Sequence, residues 1–232
     1  MKKKIKRSSI KSNNSRRSFL KLALGGTVSA SALYLGLTKD LYAAPSGPIV
    51  IGHQCELTGG FSSWGYWHDK CAKAAVKIIN DGGGIAGRKV KLAIEDTESN
   101  PAAGSRKLRS LIERRKASFV VGSVHSGIML ASIPIATELK TPYFSAGEAT
   151  EATGSKGSRY SFRTGTDTYA LAAAGAPWAF KNLGKTWTMI FPDYAWGHSH
   201  HQEHKKLIES LGGKVNDPIA VPLGTKDLVP YL

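Results

Sequence analysis

Along most of this chain, short runs of apolar residues alternate with longer stretches whose apolar positions recur every three or four residues. Pro48-Ile49-Val50-Ile51-Gly52 is a short β-rich run. From Trp64 to Asn80 the spacing predicts a helix, with Ala72, Ala75, Val76 and Ile79 on one face. Asp81-Gly82-Gly83-Gly84 ends it, because glycine accepts the left-handed backbone of a helix stop. Lys89 to Asp96 alternates as a strand does, placing Val90, Leu92 and Ile94 on one face. Pro101 opens a second helix, where its missing N–H costs nothing, and Leu108, Leu111 and Ile112 form its buried stripe. Ser118 to Val121 is a buried strand, residues 127–139 a helix with Pro134 inside it or at a break, and Tyr143-Phe144-Ser145 another strand.

This order predicts an α/β fold, a doubly wound parallel sheet with helices on both faces. Such sheets bind ligands at the carboxyl ends of their strands. Here those ends are Gln54–Gly60, Asp96–Asn100, Gly122–Ser126 and Ser145–Thr150, rich in Ser, Thr and Gly, with Trp64, Tyr66 and Trp67 in the neighbouring loops. Tyr160 to Arg163 then leads into a second unit. Helices are expected at Thr168–Lys181 and Ala195–Leu211, strands at Thr186–Phe191 and Lys214–Val221, and the opening of a further helix at Thr225-Lys226-Asp227. Two strands and two helices do not close a doubly wound lobe, so the second lobe is expected to be incomplete in this chain. The expected organisation is a leader over residues 1–44, a first lobe over 45–164 and a partial second lobe over 165–232.

The N-terminus changes the reading of charge. Arg16-Arg17 lies in Ser-Arg-Arg-Ser-Phe-Leu-Lys, ahead of a Gly/Ala-rich apolar stretch from Leu22 to Leu37. That pattern is a twin-arginine (Tat) export signal, which implies the Tat translocase as an export partner and an extracytoplasmic, periplasmic place of work. The apolar stretch falls short of the roughly 20 residues a spanning helix needs. Ala43 and Ala44 before Pro45 suit cleavage after either of them, and an uncleaved anchor is the alternative. Residues 1–44 carry 10 Lys/Arg against 1 Asp, whereas the rest carries 22 Lys/Arg against 16 Asp/Glu. Most of the net +15 therefore belongs to targeting, and a nucleic-acid partner loses its support. Arg114-Arg115-Lys116 reads as a solvated helix end, where cations suit the helix dipole.

Other candidate chemistry is sparse. Cys55 ends a strand and Cys71 lies on the following helix, compatible with a disulfide or with two free thiols. His200 and His204 share a helix face at metal-ligand spacing, but no carboxylate or cysteine completes a site, so no metal or cofactor is implied. Gly82 to Gly87 follows a helix and lacks the Lys-Ser/Thr of a phosphate loop, so it reads as a turn. No nucleophile–base spacing points to an enzyme, although His53, His68 and His125 lie near strand ends.

Four motifs in register carry a family resemblance: Leu57-Thr58-Gly59; Ile79-Asn80-Asp81-Gly82-Gly83-Gly84-Ile85-Ala86-Gly87; Asp193-Tyr194-Ala195-Trp196-Gly197; and Pro222-Leu223-Gly224-Thr225-Lys226-Asp227. Together, over residues 48–232, they resemble the extracytoplasmic solute-binding proteins of branched-chain amino acid ABC transporters, the Leu/Ile/Val-binding type. The resemblance implies a two-lobed periplasmic-binding fold that closes on a small solute and delivers it to membrane permease subunits, and a length well beyond that of this chain. It further implies that Ser126 holds a ligand carboxylate, that Gly147 offers a backbone carbonyl to an ammonium, and that Trp64 and Trp196 wall the ligand. Ala149 stands where amino-acid binders place a Thr or Ser, with Thr150 beside it as a substitute. The acidic partner of the ammonium would lie beyond Leu232, so an amino acid, an organic acid and an amide all remain open as solutes. Ser126 equally suits a helix cap, Trp64 equally suits packing, and Tyr194 is placed to do the work of Trp196. A ligand-sensing receptor module of the same fold and an exported hydrolase are the alternative functions.

Overall fold

The structure, a computed structural model, describes residues 47–232. Arg16, Arg17, the apolar stretch and the cleavage site lie outside the described residues. No described helix is long and apolar enough to cross a membrane.

The first unit is a five-stranded parallel sheet in the order β2-β1-β3-β4-β5. Its strands are β1 (Ile49–Cys55), β2 (Val90–Asp96), β3 (Phe119–Gly122), β4 (Tyr143–Ser145) and β5 (Ser161–Arg163). The crossovers are α1 (Ser62–Asp81), α2 (Pro101–Glu113) and α3 (Ser126–Glu138). Asn100 caps α2, its side-chain oxygen accepting from Ala103 N at 2.9 Å, and Pro101 takes the first turn as its sequence predicts. Because β1 is flanked by β2 on one side and β3 on the other, the chain reverses direction across the sheet there, and a crevice opens at the carboxyl ends.

Side chains of β1 alternate between two unlike faces. Toward α2 and α3 lies the main core, built by Leu108, Leu111, Val120, Met129, Ile133 and Tyr143. Burying each of the two leucines contributes about 1.5–3 kcal/mol. Gln54 is sunk in this core, donating to the Gly104 carbonyl at 2.7 Å and to Ser132 Oγ at 3.0 Å. Tyr143 donates its hydroxyl to Gln54 Oε1 at 2.6 Å. The fully paired network fixes how β1, β4, α2 and α3 register on one another, since an unpaired buried group there costs about 1–3 kcal/mol.

The α1 side is looser. The predicted stripe is met in part: Ala72, Val76 and Ile79 are half-buried, while Ala75 is exposed. Positions 72, 76 and 79 share a narrow face, and Ala75 falls on its border. Only Gly65 of α1 is buried. Both cysteines are free, Cys55 buried and Cys71 exposed. Cys55 donates to the Gly65 carbonyl at 3.2 Å. Burial first, then the nearby Glu56, Asp69 and Asp96, push its thiol up to about 12.

In the second unit, α4 (Thr168–Asn182) packs on α5 (Ala195–Ser210), with Ala176, Ile208 and Val215 at the centre. Each strand expected here splits in two. β6 (Thr186–Trp187) pairs with β8 (Lys214–Val215), and β7 (Ile190–Pro192) pairs with β9 (Ile219–Val221). Pro218 has no N–H for the ladder, and Asn216 instead donates its side-chain amide to Thr188 Oγ1 at 2.9 Å. The helix expected to open at Thr225 is absent. Thr225 closes a turn onto the Pro222 carbonyl, and a single 3-10 turn forms at Val229–Tyr231.

Candidate functional site

The strand-end loops of the first unit form one rim. At its head Asp96 clasps the Leu57-Thr58-Gly59 loop, accepting from Leu57 N at 3.0 Å, Thr58 N at 3.2 Å and Thr58 Oγ1 at 2.7 Å. Burial opposes the charge on Asp96, but the Thr58 hydroxyl and the N–H groups of Glu98, Thr58 and Leu57 outweigh it and hold the carboxyl below its ordinary range. Gly59 is required: its φ is +82°, and a Cβ there would stand 2.6 Å from the Glu98 carbonyl. Ser99 completes the clasp, donating to the Thr58 carbonyl at 2.7 Å and accepting from Phe61 N at 3.0 Å.

That clasp positions Phe61 for an aromatic cluster that spans the two units. Phe61 lies 4.7 Å from the His125 ring and 5.6 Å from the Tyr194 ring, centroid to centroid. His125 and Tyr194 are 4.9 Å apart. Trp196 stacks beside Tyr194 at 6.2 Å and meets His200 edge-on at 4.2 Å. Trp196 also donates Nε1–H to Glu148 Oε2 at 2.6 Å. Burial, and then the Glu148 charge, push the Tyr194 hydroxyl up to about 12.

The residues singled out by sequence fall into three groups. Trp196 and Thr150 lie at the junction of the units. Thr150 N donates to Ser199 Oγ at 3.1 Å, and Thr150, Thr168 and Ser199 share hydroxyl bonds of 2.7 Å each. Ser199 passes the chain on to Glu151 Oε2 at 2.9 Å. Ser126, Gly147 and Ala149 lie together just beneath the rim. Ser126 Oγ accepts from Glu148 N at 3.1 Å and Ala149 N at 3.3 Å, so the serine anchors the 147–150 loop. Gly147 permits the close approach, since a Cβ would stand 2.9 Å from Met129 Sδ. Ala149 is fully buried, and its carbonyl accepts from Arg163 at 3.3 Å. Trp64 forms the third group alone: it is 58% exposed on the first turn of α1 and outside the aromatic cluster, where Phe61 stands instead.

The cap of α3 is His125 rather than Ser126. Its Nδ1 accepts from Gly127 N at 3.0 Å and Ile128 N at 3.3 Å, which requires an unprotonated nitrogen. Burial lowers the His125 pKa, keeping that nitrogen free. Behind it sits Glu56, fully buried, whose Oε1 accepts from Ser123 Oγ and, at 3.5 Å, from His125 N. Glu56 Oε2 has no hydrogen-bond partner among the described residues. Phe61, His125 and Glu56 escape a reading by motif because their roles depend on contacts between loops. The one local hint is the Asp96/Thr58 pair at adjoining strand ends.

Among the described residues no three His, Cys, Asp or Glu side chains converge as metal ligands. A groove of about 800 Å³ does open on the exposed side of α2, lined by Glu95, Arg106, Lys107, Arg109, Arg114 and Arg115, but it shares no residue with the rim.

The fold matches proteins of known class. The profile of the periplasmic binding protein family matches residues 48–232. Leu/Ile/Val-binding protein homolog 1 of Brucella abortus (strain 2308) is 28% identical over 181 residues, covering 77% of this chain and 48% of that protein. A periplasmic binding protein from Burkholderia mallei superposes with a TM-score of 0.72 at 24% identity, over 81% of this chain and 50% of that one. The solute binding protein of an ABC transporter from Rhodopseudomonas palustris BisB5, solved with 3,4-dihydroxybenzoic acid, superposes at 0.69 with 27% identity, over 79% of this chain and 50% of that one. The chain thus spans about half the length of the relatives it matches. The sheet order, the strand-end rim and a family match over residues 48–232 agree, and the chain belongs to the periplasmic binding protein family.

Proposed function

We propose that the protein works outside the cytoplasm as the solute-binding component of an ABC importer, capturing a small polar organic solute between its two lobes for delivery to permease subunits. The observation that carries this reading is the meeting of the strand-end rim with Tyr194 and Trp196 of the second unit, a polar floor under an aromatic cover. Ser126, Gly147, Ala149 and Thr150 belong to the floor, and Trp196 to the cover. Trp64 serves at most the outer margin. Export through the twin-arginine motif, with lobes over 45–164 and 165–232, belongs to the same proposal. The relatives support a binding role over an enzymatic one: one is named for Leu, Ile and Val, and another holds an aromatic acid.

The geometry supports a closing motion. The rim groups are fixed by the Asp96 clasp and the Ser126 anchor, so capture proceeds by the second unit swinging over a preformed floor. A thermal-shift screen against amino acids, aromatic acids and amides tests it. The expected result is one compound class that raises the unfolding midpoint and is recovered unchanged; a ligand at a hundred times its Kd adds about 2.7 kcal/mol. Consumption of the stabilising compound, or no shift with any class, would overturn the proposal.

A further inference from the structure

The carboxylates of the rim differ from those elsewhere in the molecule. Glu56, Asp96, Glu98, Glu148 and Glu151 all lack a cationic partner within ion-pair distance among the described residues. Away from the rim most carboxylates are paired: Lys107 and Arg115 with Glu95, Arg109 with Glu113 and Glu138, and Arg163 with Asp167. The loops 54–61, 96–100, 122–127 and 145–152, and the facing segment 193–201, contain no Lys or Arg at all. Arg163, whose guanidinium reaches the Ala149 carbonyl, is neutralised by Asp167 at 2.6 Å. A chain with an excess of cations therefore keeps this rim free of lysine and arginine.

The usual seat for a solute anion is also filled from within. The N–H groups of Gly127 and Ile128 are taken by His125 Nδ1, and that of His125 faces Ser123 Oγ and Glu56 Oε1. Ser126 Oγ already accepts two backbone donors. A solute carboxylate placed at this helix start would meet the buried Glu56 carboxylate, whose Oε2 is an acceptor without a donor. Glu148 accepts from Trp196 Nε1 at 2.6 Å beside the stacked rings of Tyr194 and Trp196, and it has no cationic partner among the described residues, an arrangement that favours a cation over an anion.

Resting on the binding reading above, we infer that the cleft selects a small organic cation, an amine or amidinium, rather than a solute whose only polar group is a carboxylate. Glu148 receives its N–H donors, and Tyr194 and Trp196 cover its apolar part.

Benzamidine and benzoate make a matched test, the same ring with opposite charge, with isoleucine as a zwitterionic control. Calorimetric titration of the full chain should give at least tenfold tighter binding of benzamidine than of benzoate, weakening as salt rises. Glu148→Gln keeps an acceptor for Trp196 and removes the charge, and should lose at least tenfold in benzamidine affinity while its circular dichroism matches wild type. Binding of benzoate or isoleucine without benzamidine would overturn cation selection and leave the solute-binding reading standing. Equal benzamidine affinity in E148Q would overturn the assigned residue. No binding of any of the three would overturn the inference, and the wider screen then decides the binding reading by itself.

Discussion

Ser126→Ala separates an anchoring serine from one that only touches solute. The substitution removes the acceptor shared by Glu148 N and Ala149 N, at 3.1 and 3.3 Å. Ala149 is fully buried, so no water replaces the lost partner there, and a buried donor left unpaired costs about 1–3 kcal/mol. Glu148 is half-buried, and its N–H recovers part of its loss from solvent. A total near 2 kcal/mol corresponds to a fall in Tm of about 4–8 °C for a domain of this size. Solute-free protein should be unfolded in urea and followed by far-UV circular dichroism, with the slope m unchanged between variants. A serine whose only task is to hold solute would leave the solute-free midpoint in place. A midpoint matching wild type would therefore refute the anchoring role and the packing argument behind it.

Two further outcomes follow from the buried chemistry. His125 has a folded pKa below the ordinary 6.5 because of burial, so the unfolded chain binds more protons as the solution acidifies; its contribution is complete above about pH 7 and is lost as pH falls. His125→Asn keeps a capping acceptor without titrating and should flatten the stability profile between pH 7 and 5, leaving the slope owed to His53, His200 and His201, which burial also lowers; a variant profile as steep as wild type would remove His125 from the account. A thiol reagent at pH 8 should modify Cys71 rapidly in the native protein and Cys55 only after denaturation, because one is exposed and the other buried with its thiol pushed up to about 12. Two fast thiols would contradict the burial of β1.

The first unit is legible from sequence because its signals are local and agree. Asn100-Pro101 starts α2, Leu108 and Leu111 face the core, and Val120 is buried in a central strand whose other residues are half-buried. The second unit is less so, since Thr186–Phe191 reads as one apolar strand until pairing with a proline-broken partner divides it. Motif positions bring Ser126, Gly147, Ala149 and Thr150 to neighbouring strand ends but do not name the partner of each atom. Ser126 looks like a cap because it begins α3, yet a histidine one residue earlier supplies the acceptor. Phe61 rather than Trp64 joins the aromatic cluster because Ser99 holds its N–H and turns the chain before the helix begins, a contact between segments 38 residues apart in sequence. Glu56 is invisible to any reading by residue type, since a glutamate after a strand is ordinarily solvated.

The chain of hydroxyls between Thr150, Thr168, Ser199 and Glu151 bears on how firmly the units hold together. Each alcohol is donor and acceptor at once, and the Glu151 carboxylate, an acceptor only, fixes the direction: Thr150 donates to Thr168, Thr168 to Ser199 and Ser199 to Glu151. When the seam parts, water offers each oxygen the same bonds it had, and the exchange is nearly even, about 1 kcal/mol net for each bond. The seam is thus a weak latch, one that remakes itself without a desolvated ion pair to rebuild. What holds the units more firmly is the apolar contact of Phe61 and His125 with Tyr194, which has no such substitute in water.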